Sequence, residues 1–180
     1  MSIVVGGPVG AASAANVGAR HAGDEPMDDD RFSDPVEARK KAMDYLARRE
    51  HGHVELEAKL TKFGFESNTA EDAVAWLIDG GLQSDRRFVE AFVRSRINQG
   101  KGPAKIRADL REKGVDDSFV SEGLQEAEQD WYALALDVRL KKFGPERPAD
   151  YKEKARQMRF LQSRGFEPDH IQAAVSADVE

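Results

Sequence analysis

The side chains with chemistry to offer are cations. Arg94, Arg96, Lys101, Lys105, Arg107 and Arg111 fall within one short stretch of the 180-residue chain. Arg107 and Arg111, four apart, share one face of a helix. Between positions 86 and 113, nine Lys and Arg residues face three carboxylates, a net charge of about +6. A second basic set follows: Lys141, Lys142, Lys154 and Arg156, with Lys152, Arg159 and Arg164. Fixed cations of this kind break no bonds. They neutralise phosphates, meet acidic protein surfaces, or simply solvate helix faces and sit near helix C-termini, where the macrodipole favours them. Asp116, Asp117, Glu122, Glu126, Glu128 and Asp130 lie between the two sets, so the sign of charge alternates along the chain. That alternation suits a mixed-charge protein surface better than a nucleic acid duplex. The candidate binding residues are therefore Arg94, Arg96, Lys101, Lys105, Arg107, Arg111, Lys141, Lys142, Lys154 and Arg156.

Other chemistries have little to stand on. The chain has no cysteine, so a thiol nucleophile, a disulfide and a thiolate metal site are all excluded. His51 and His53 form an isolated His-x-His without further ligands at zinc spacing, and they read as a polar turn. His21 and His170 have no evident partner. Gly100-Lys101-Gly102 lacks the phosphate-loop pattern and reads as a helix–helix turn. No Ser-His-Asp set or carboxylate pair stands out from the surface charge. The expectation is a non-enzyme with no catalytic residue, no metal and no cofactor. Trp76, Trp131, Tyr132 and Tyr151 read as packing residues.

Composition agrees. Hydrophobic residues make up 40% and charged residues 33% of the chain, with a net charge of −6, which suits a thin-cored helical protein. That net charge hides an acidic start: positions 1–37 hold seven carboxylates against two arginines. No apolar run approaches the roughly 18–20 residues that cross a bilayer. The stretch from Met1 to Ala19 lacks the basic lead of a secretory signal. A cytoplasmic monomer with no membrane contact is expected.

The elements that must position the cations repeat along the chain. Leu60, Gly64 and Phe65 match Leu110, Gly114 and Val115, and again Leu161, Gly165 and Phe166. In the same register Ala70, Val120 and Ile171 correspond, then Ala73, Gly123 and Ala174, then Val74, Leu124 and Val175. The i, i+3, i+4 spacing puts each trio on one helix face, and the period of about 50 residues is that of helical arrays. Each glycine reads as a left-handed stop followed by a buried apolar contact. The fold class is all-α: three tandem three-helix repeats forming an elongated curved array. A disordered acidic tail spans 1–34, and the repeats span 35–83, 84–130 and 131–180. In the middle repeat the helices are expected over 85–98, 103–113 and 117–130, and stacking of neighbours is expected to complete each thin core.

The middle repeat also carries a resemblance. The run Gly81-Leu82-Gln83-Ser84-Asp85-Arg86-Arg87-Phe88, continuing to Arg94, leads into Gly100-Lys101-Gly102-Pro103 through Gly114-Val115. It resembles the central signature of the RecX regulatory proteins. Ala42 to His51 is similar to that family's first helix, and Phe143-Gly144-Pro145 with Arg159 to Phe166 to its third repeat. Arg86 departs from the pattern, standing where the family often has an acidic residue, and makes this turn more basic. The resemblance covers roughly residues 36–178. It implies a partner, the RecA recombinase and its filament on single-stranded DNA, with inhibition of recombinase, ATPase and co-protease activity. Weak direct DNA binding is also implied. A direct DNA-binding repeat protein and a scaffold for another protein partner remain the alternative readings.

Overall fold

The structure, a computed structural model, describes residues 29–179. Among these residues it contains helices and no strand. A 3-10 turn, Asp29–Phe32, precedes nine α-helices: α1 Pro35–Leu46, α2 His53–Phe63, α3 Ser67–Asp79, α4 Asp85–Asn98, α5 Pro103–Glu112, α6 Asp117–Glu126, α7 Trp131–Phe143, α8 Tyr151–Ser163 and α9 Pro168–Ser176. They form three units, α1–α3, α4–α6 and α7–α9, and in each unit the first helix packs principally on the third. The small buried residues Ala73, Gly123 and Ala174 sit on those third helices.

Local signals explain the boundaries. Asp34 accepts from the Val36 amide at 2.8 Å, Asp116 from Ser118 at 2.8 Å, Asp130 from Ala133 at 3.0 Å and Asp150 from Glu153 at 2.8 Å. Each carboxylate satisfies an orphan amide of the first turn. The stops of α2, α5 and α8 share one geometry. Gly64, Gly114 and Gly165 have φ of 131°, 74° and 92°. The next residue's amide donates back to the leucine carbonyl: Phe65 to Leu60 at 3.1 Å, Val115 to Leu110 at 3.2 Å and Phe166 to Leu161 at 3.2 Å. This is the Schellman closure expected from the repeated Leu and Gly.

Each unit has its own apolar core. The first gathers Leu56, Leu60, Val74 and Leu77; the second Phe88, Val89, Ile106 and Leu110; the third Ala135, Leu161, Phe166 and Val175. Each fully buried leucine contributes about 2 kcal/mol by area. Stacking of neighbours was expected to complete each thin core; instead the three clusters are separate, each built from its own unit's helices, and the joints between units are largely polar. α6 also ends at Glu126, short of the expected residue 130, because Asp130 serves as the cap of α7 and Glu128 takes a φ of 46° between them.

Residues 1–28 of the expected tail lie outside the described residues. Its last part belongs with the first unit. Phe32 lies edge-on to Phe63 and Phe65, with ring centroids 6.4 and 5.7 Å away, and its carbonyl accepts from the Glu66 amide at 3.1 Å. The aromatic expectations also change. Trp76 is 46% exposed, with the Arg39 guanidinium 4.7 Å above its ring, and Tyr151 is 86% exposed. Tyr132 is half exposed and lies edge-on to His170 at 4.8 Å, which gives that histidine a partner the sequence did not reveal. Only Trp131 packs against a core. No helix among the described residues is long and apolar enough to cross a membrane.

Candidate partner-binding site

The second and third units are joined through their main chains. The Gly102 amide donates to the Arg164 carbonyl at 2.8 Å, and the Ala104 amide to the Gly165 carbonyl at 3.0 Å. The unsatisfied donors at the start of α5 thus find the unsatisfied acceptors at the end of α8, aligning the two helix dipoles head to tail. Such an approach leaves no room for side chains. A Cβ on Gly102 would lie 2.4 Å from the Gly165 carbonyl carbon, and one on Gly165 would lie 2.2 Å from the Lys105 Cβ. Arg164 adds a bond from its Nη1 to the Gln99 carbonyl at 3.1 Å.

Around this joint lie two adjoining hollows. One, of about 650 Å³, is lined by Arg96, Gln99, Lys101, Lys105, Asp109, Glu112 and Lys113. The other, of about 510 Å³, includes Gln99, Asp137, Lys141, Lys142 and Arg164 above an apolar floor of Ile97, Leu134, Val138 and Phe160. Together they make a groove with seven cations and three carboxylates. Asp109 holds Lys105 at 3.0 Å and Arg96 at 3.6 Å, and Asp137 holds Lys141 at 2.7 Å. Lys101 and Lys142 have no ion pair among the described residues. Burial, together with the neighbouring charges of Arg164, Lys105 and Arg96, lowers the Lys101 ammonium below its ordinary value. An amine strained in this way gains from an incoming anion.

Five of the candidate cations meet in the groove: Arg96, Lys101, Lys105, Lys141 and Lys142. The other five do not. Arg94 lines a separate hollow with Glu90 and Glu126. Arg107 turns to Ser121 at 3.4 Å, and Arg111 grips Asp117 with two bonds of 2.7 and 3.3 Å. Arg156 pairs with Glu153 at 3.1 Å and caps the Phe143 ring. Lys154 has no ion pair among the described residues and lines neither groove hollow. Arg86 does not make its turn more basic, because Glu122 and Glu126 each hold it at 2.7 Å and Glu90 lies at 3.9 Å. Lys113 and Arg164 are the groove cations that the candidate set lacked; both stand beside a stop glycine, Gly114 and Gly165.

In the joint between the first and second units every bond involves at least one side chain. Asp85, at the start of α4, accepts from the His53 amide at 2.8 Å and from Gln83 Nε2 at 2.8 Å, and its Oδ2 lies 2.6 Å from His53 Nδ1. Gln83 also donates to the His51 carbonyl at 3.0 Å. Arg87 reaches back to Glu50 at 2.9 Å, and Lys113 to Glu55 at 3.6 Å. Burial alone raises the Glu55 carboxyl, but the Arg49 bond with the Arg49 and Lys113 charges brings it below its ordinary value. The His-x-His turn is thus a joint. No cluster of potential metal ligands occurs among the described residues.

The comparisons with known proteins divide the chain in the same way. Residues 38–77, 84–124 and 128–175 match the first, second and third three-helix domains of RecX. The Regulatory protein RecX of Pseudomonas entomophila is 44% identical over 137 residues, covering 76% of this chain and 88% of that protein. That of Halorhodospira halophila is 44% identical over 139 residues, covering 77% and 86%. The crystal structure of RecX from Lactobacillus salivarius superposes with a TM-score of 0.65 at 23% identity, covering 81% of this chain and 95% of that one.

Proposed function

The chain belongs to the RecX family of regulatory proteins, and from that premise we propose that it binds the RecA recombinase and the filament RecA forms on single-stranded DNA. In this reading it works without catalysis, as a cytoplasmic monomer, and inhibits recombinase, ATPase and co-protease activity. One observation carries the proposal: cations from α4, α5, α7 and the turns that follow α4, α5 and α8 are gathered in a groove whose walls are held by main-chain hydrogen bonds. A surface already fixed in its binding shape loses little freedom on docking. Asp109, Glu112 and Asp137 inside the groove favour a mixed-charge protein surface over a bare phosphate backbone.

The test is RecA ATPase on single-stranded DNA, titrated with the wild-type chain and with a Lys101→Glu/Lys142→Glu variant. Inhibition by the wild type at well under one copy per RecA, lost in the variant, is the expected result. No inhibition, or inhibition needing one copy per RecA, counts against it. Oligonucleotide binding without RecA, steep in salt and lost on changing Lys105, Arg107 and Arg111 to Ala, would favour direct DNA binding instead.

A further inference from the structure

The groove does not stop at the second unit. A third hollow, of about 400 Å³, lies at the joint with the first unit, with Phe88, Ala91 and Phe92 along α4 and Arg49 on the far side. It shares Arg96 and Lys113 with the middle hollow, and the middle hollow shares Gln99 with the one floored by Phe160. The three therefore form one track. Its floor is a single stripe along α4 and its C-terminal cap, in which Phe88, Phe92, Arg96 and Gln99 recur at helical spacing. That stripe rises roughly 16 Å, and the Phe160 hollow extends it.

The track is charged throughout its rim, Glu50 and Asp137 included, and has an apolar floor only at its two ends, Phe88, Ala91 and Phe92 at one and Ile97, Leu134, Val138 and Phe160 at the other. Its aromatic faces are already covered: Arg96 lies 4.5 Å above Phe92, and Arg164 and Lys142 lie 5.3 and 5.8 Å from the Phe160 ring. Nucleic acid bases would find no open ring to stack on, and phosphates would pass Asp109 and Glu112. Carboxylate side chains, by contrast, can pair with the covering guanidinium and ammonium groups from above, while apolar side chains enter the end hollows beside the rings.

We propose that the track binds one extended peptide segment of a protein partner, acidic in its middle and carrying an apolar side chain at each end. This rests on the reading of the groove as a partner-docking site and specifies what docks. An extended strand of about eight residues spans roughly 26 Å, enough to reach both ends. Such a peptide touches all three units and bridges both joints.

The probe is a fluorescein-labelled peptide of about that length, with phenylalanine near each end and aspartates between, followed by fluorescence anisotropy on the full chain. Three control peptides replace one phenylalanine, the other phenylalanine, or the aspartates by serine. Saturable binding that weakens tenfold or more in every control supports the proposal. Ala91→Trp, which fills the first hollow from an exposed position, and Lys142→Glu at the other end should each weaken binding by a similar factor. Circular dichroism verifies that both variants remain folded. A single phenylalanine sufficing, indifference to Ala91→Trp, or displacement by a short oligothymidylate at matched charge would overturn it. The same variants in the RecA assay separate the two readings. If they lose inhibition although the wild-type chain itself binds no peptide, docking stands and the peptide mode falls. If they bind no peptide yet still inhibit RecA, this track is not the docking site.

Discussion

The two joints of the array hold together different kinds of matter. Between the second and third units, amides of α5 bond to carbonyls at the end of α8, and two glycines bring the backbones into contact. Between the first and second, the side chains of Glu50, His53, Gln83, Asp85 and Arg87 make the connection, reaching each other, the His53 amide and the His51 carbonyl. A main-chain joint has one geometry, because neither partner has a rotamer to change. A side-chain joint can be re-formed in several geometries by rotating a few torsions. The contrast implies a stiff pair of units, the second and third, carrying the groove, with the first unit attached more adjustably.

The sharpest way to break this contrast is to place a methyl in the stiff joint. Gly165→Ala puts a Cβ within 2.8 Å of three Lys105 atoms at a φ of 92°. Overpacking of backbone and the left-handed conformation together should cost about 3 kcal/mol, read as a lower urea midpoint, with faster exchange at the Gly102 and Ala104 amides. Next comes Asp85→Ala, which removes three bonds of the side-chain joint and should cost about 1–2 kcal/mol. Its exchange should rise around His53 while Gly102 stays protected. Gly114→Ala is the control at the same repeat position as Gly165. It has a φ of 74°, but the atoms nearest its Cβ would be those of the Val54 side chain, at 3.0 Å and beyond, so the cost should fall to about 1 kcal/mol. If the Gly114 and Gly165 variants lose equal stability, the distinction between the joints fails.

The smallest effect is of pH. Burial, with the Arg49 charge beside it, holds the His51 imidazole below its ordinary value of 6.5, against the opposing pull of the Arg49 carbonyl and Glu55. The unfolded chain therefore takes up a proton more readily than the folded one. Stability contributed by His51 is full above that value and declines as pH falls below it. A shallow drop in melting temperature between about pH 7 and pH 5, reduced in His51→Gln, is the expected outcome.

What could be read from residues alone was whatever depends on local chain geometry. The Leu–Gly repeat specifies a Schellman stop in three places because the motif is completed within a few residues, and helices α4 and α5 follow directly from their caps and apolar spacing. The groove was only half legible. Lys101, Lys105 and Lys141 are visible as charges, but Arg107 and Arg111 look equally promising until Ser121 and Asp117 are seen beside them. Arg164 reaches the groove only because a glycine on another unit lets two backbones touch. His53 and Asp85 lie 32 positions apart, and no periodicity announces such a pair. Long-range pairing of single polar residues leaves no pattern in one sequence.

Each unit closes its own apolar cluster, so little of the oil-like surface depends on the angle between units beyond Phe88 against Gly52 and Val54 against Gly114 at the first joint. Bending the array at its first joint rearranges a handful of polar bonds and leaves every buried leucine where it was. Curvature is therefore a cheap coordinate in this molecule, held at its first joint mainly by polar bonds that can exchange partners.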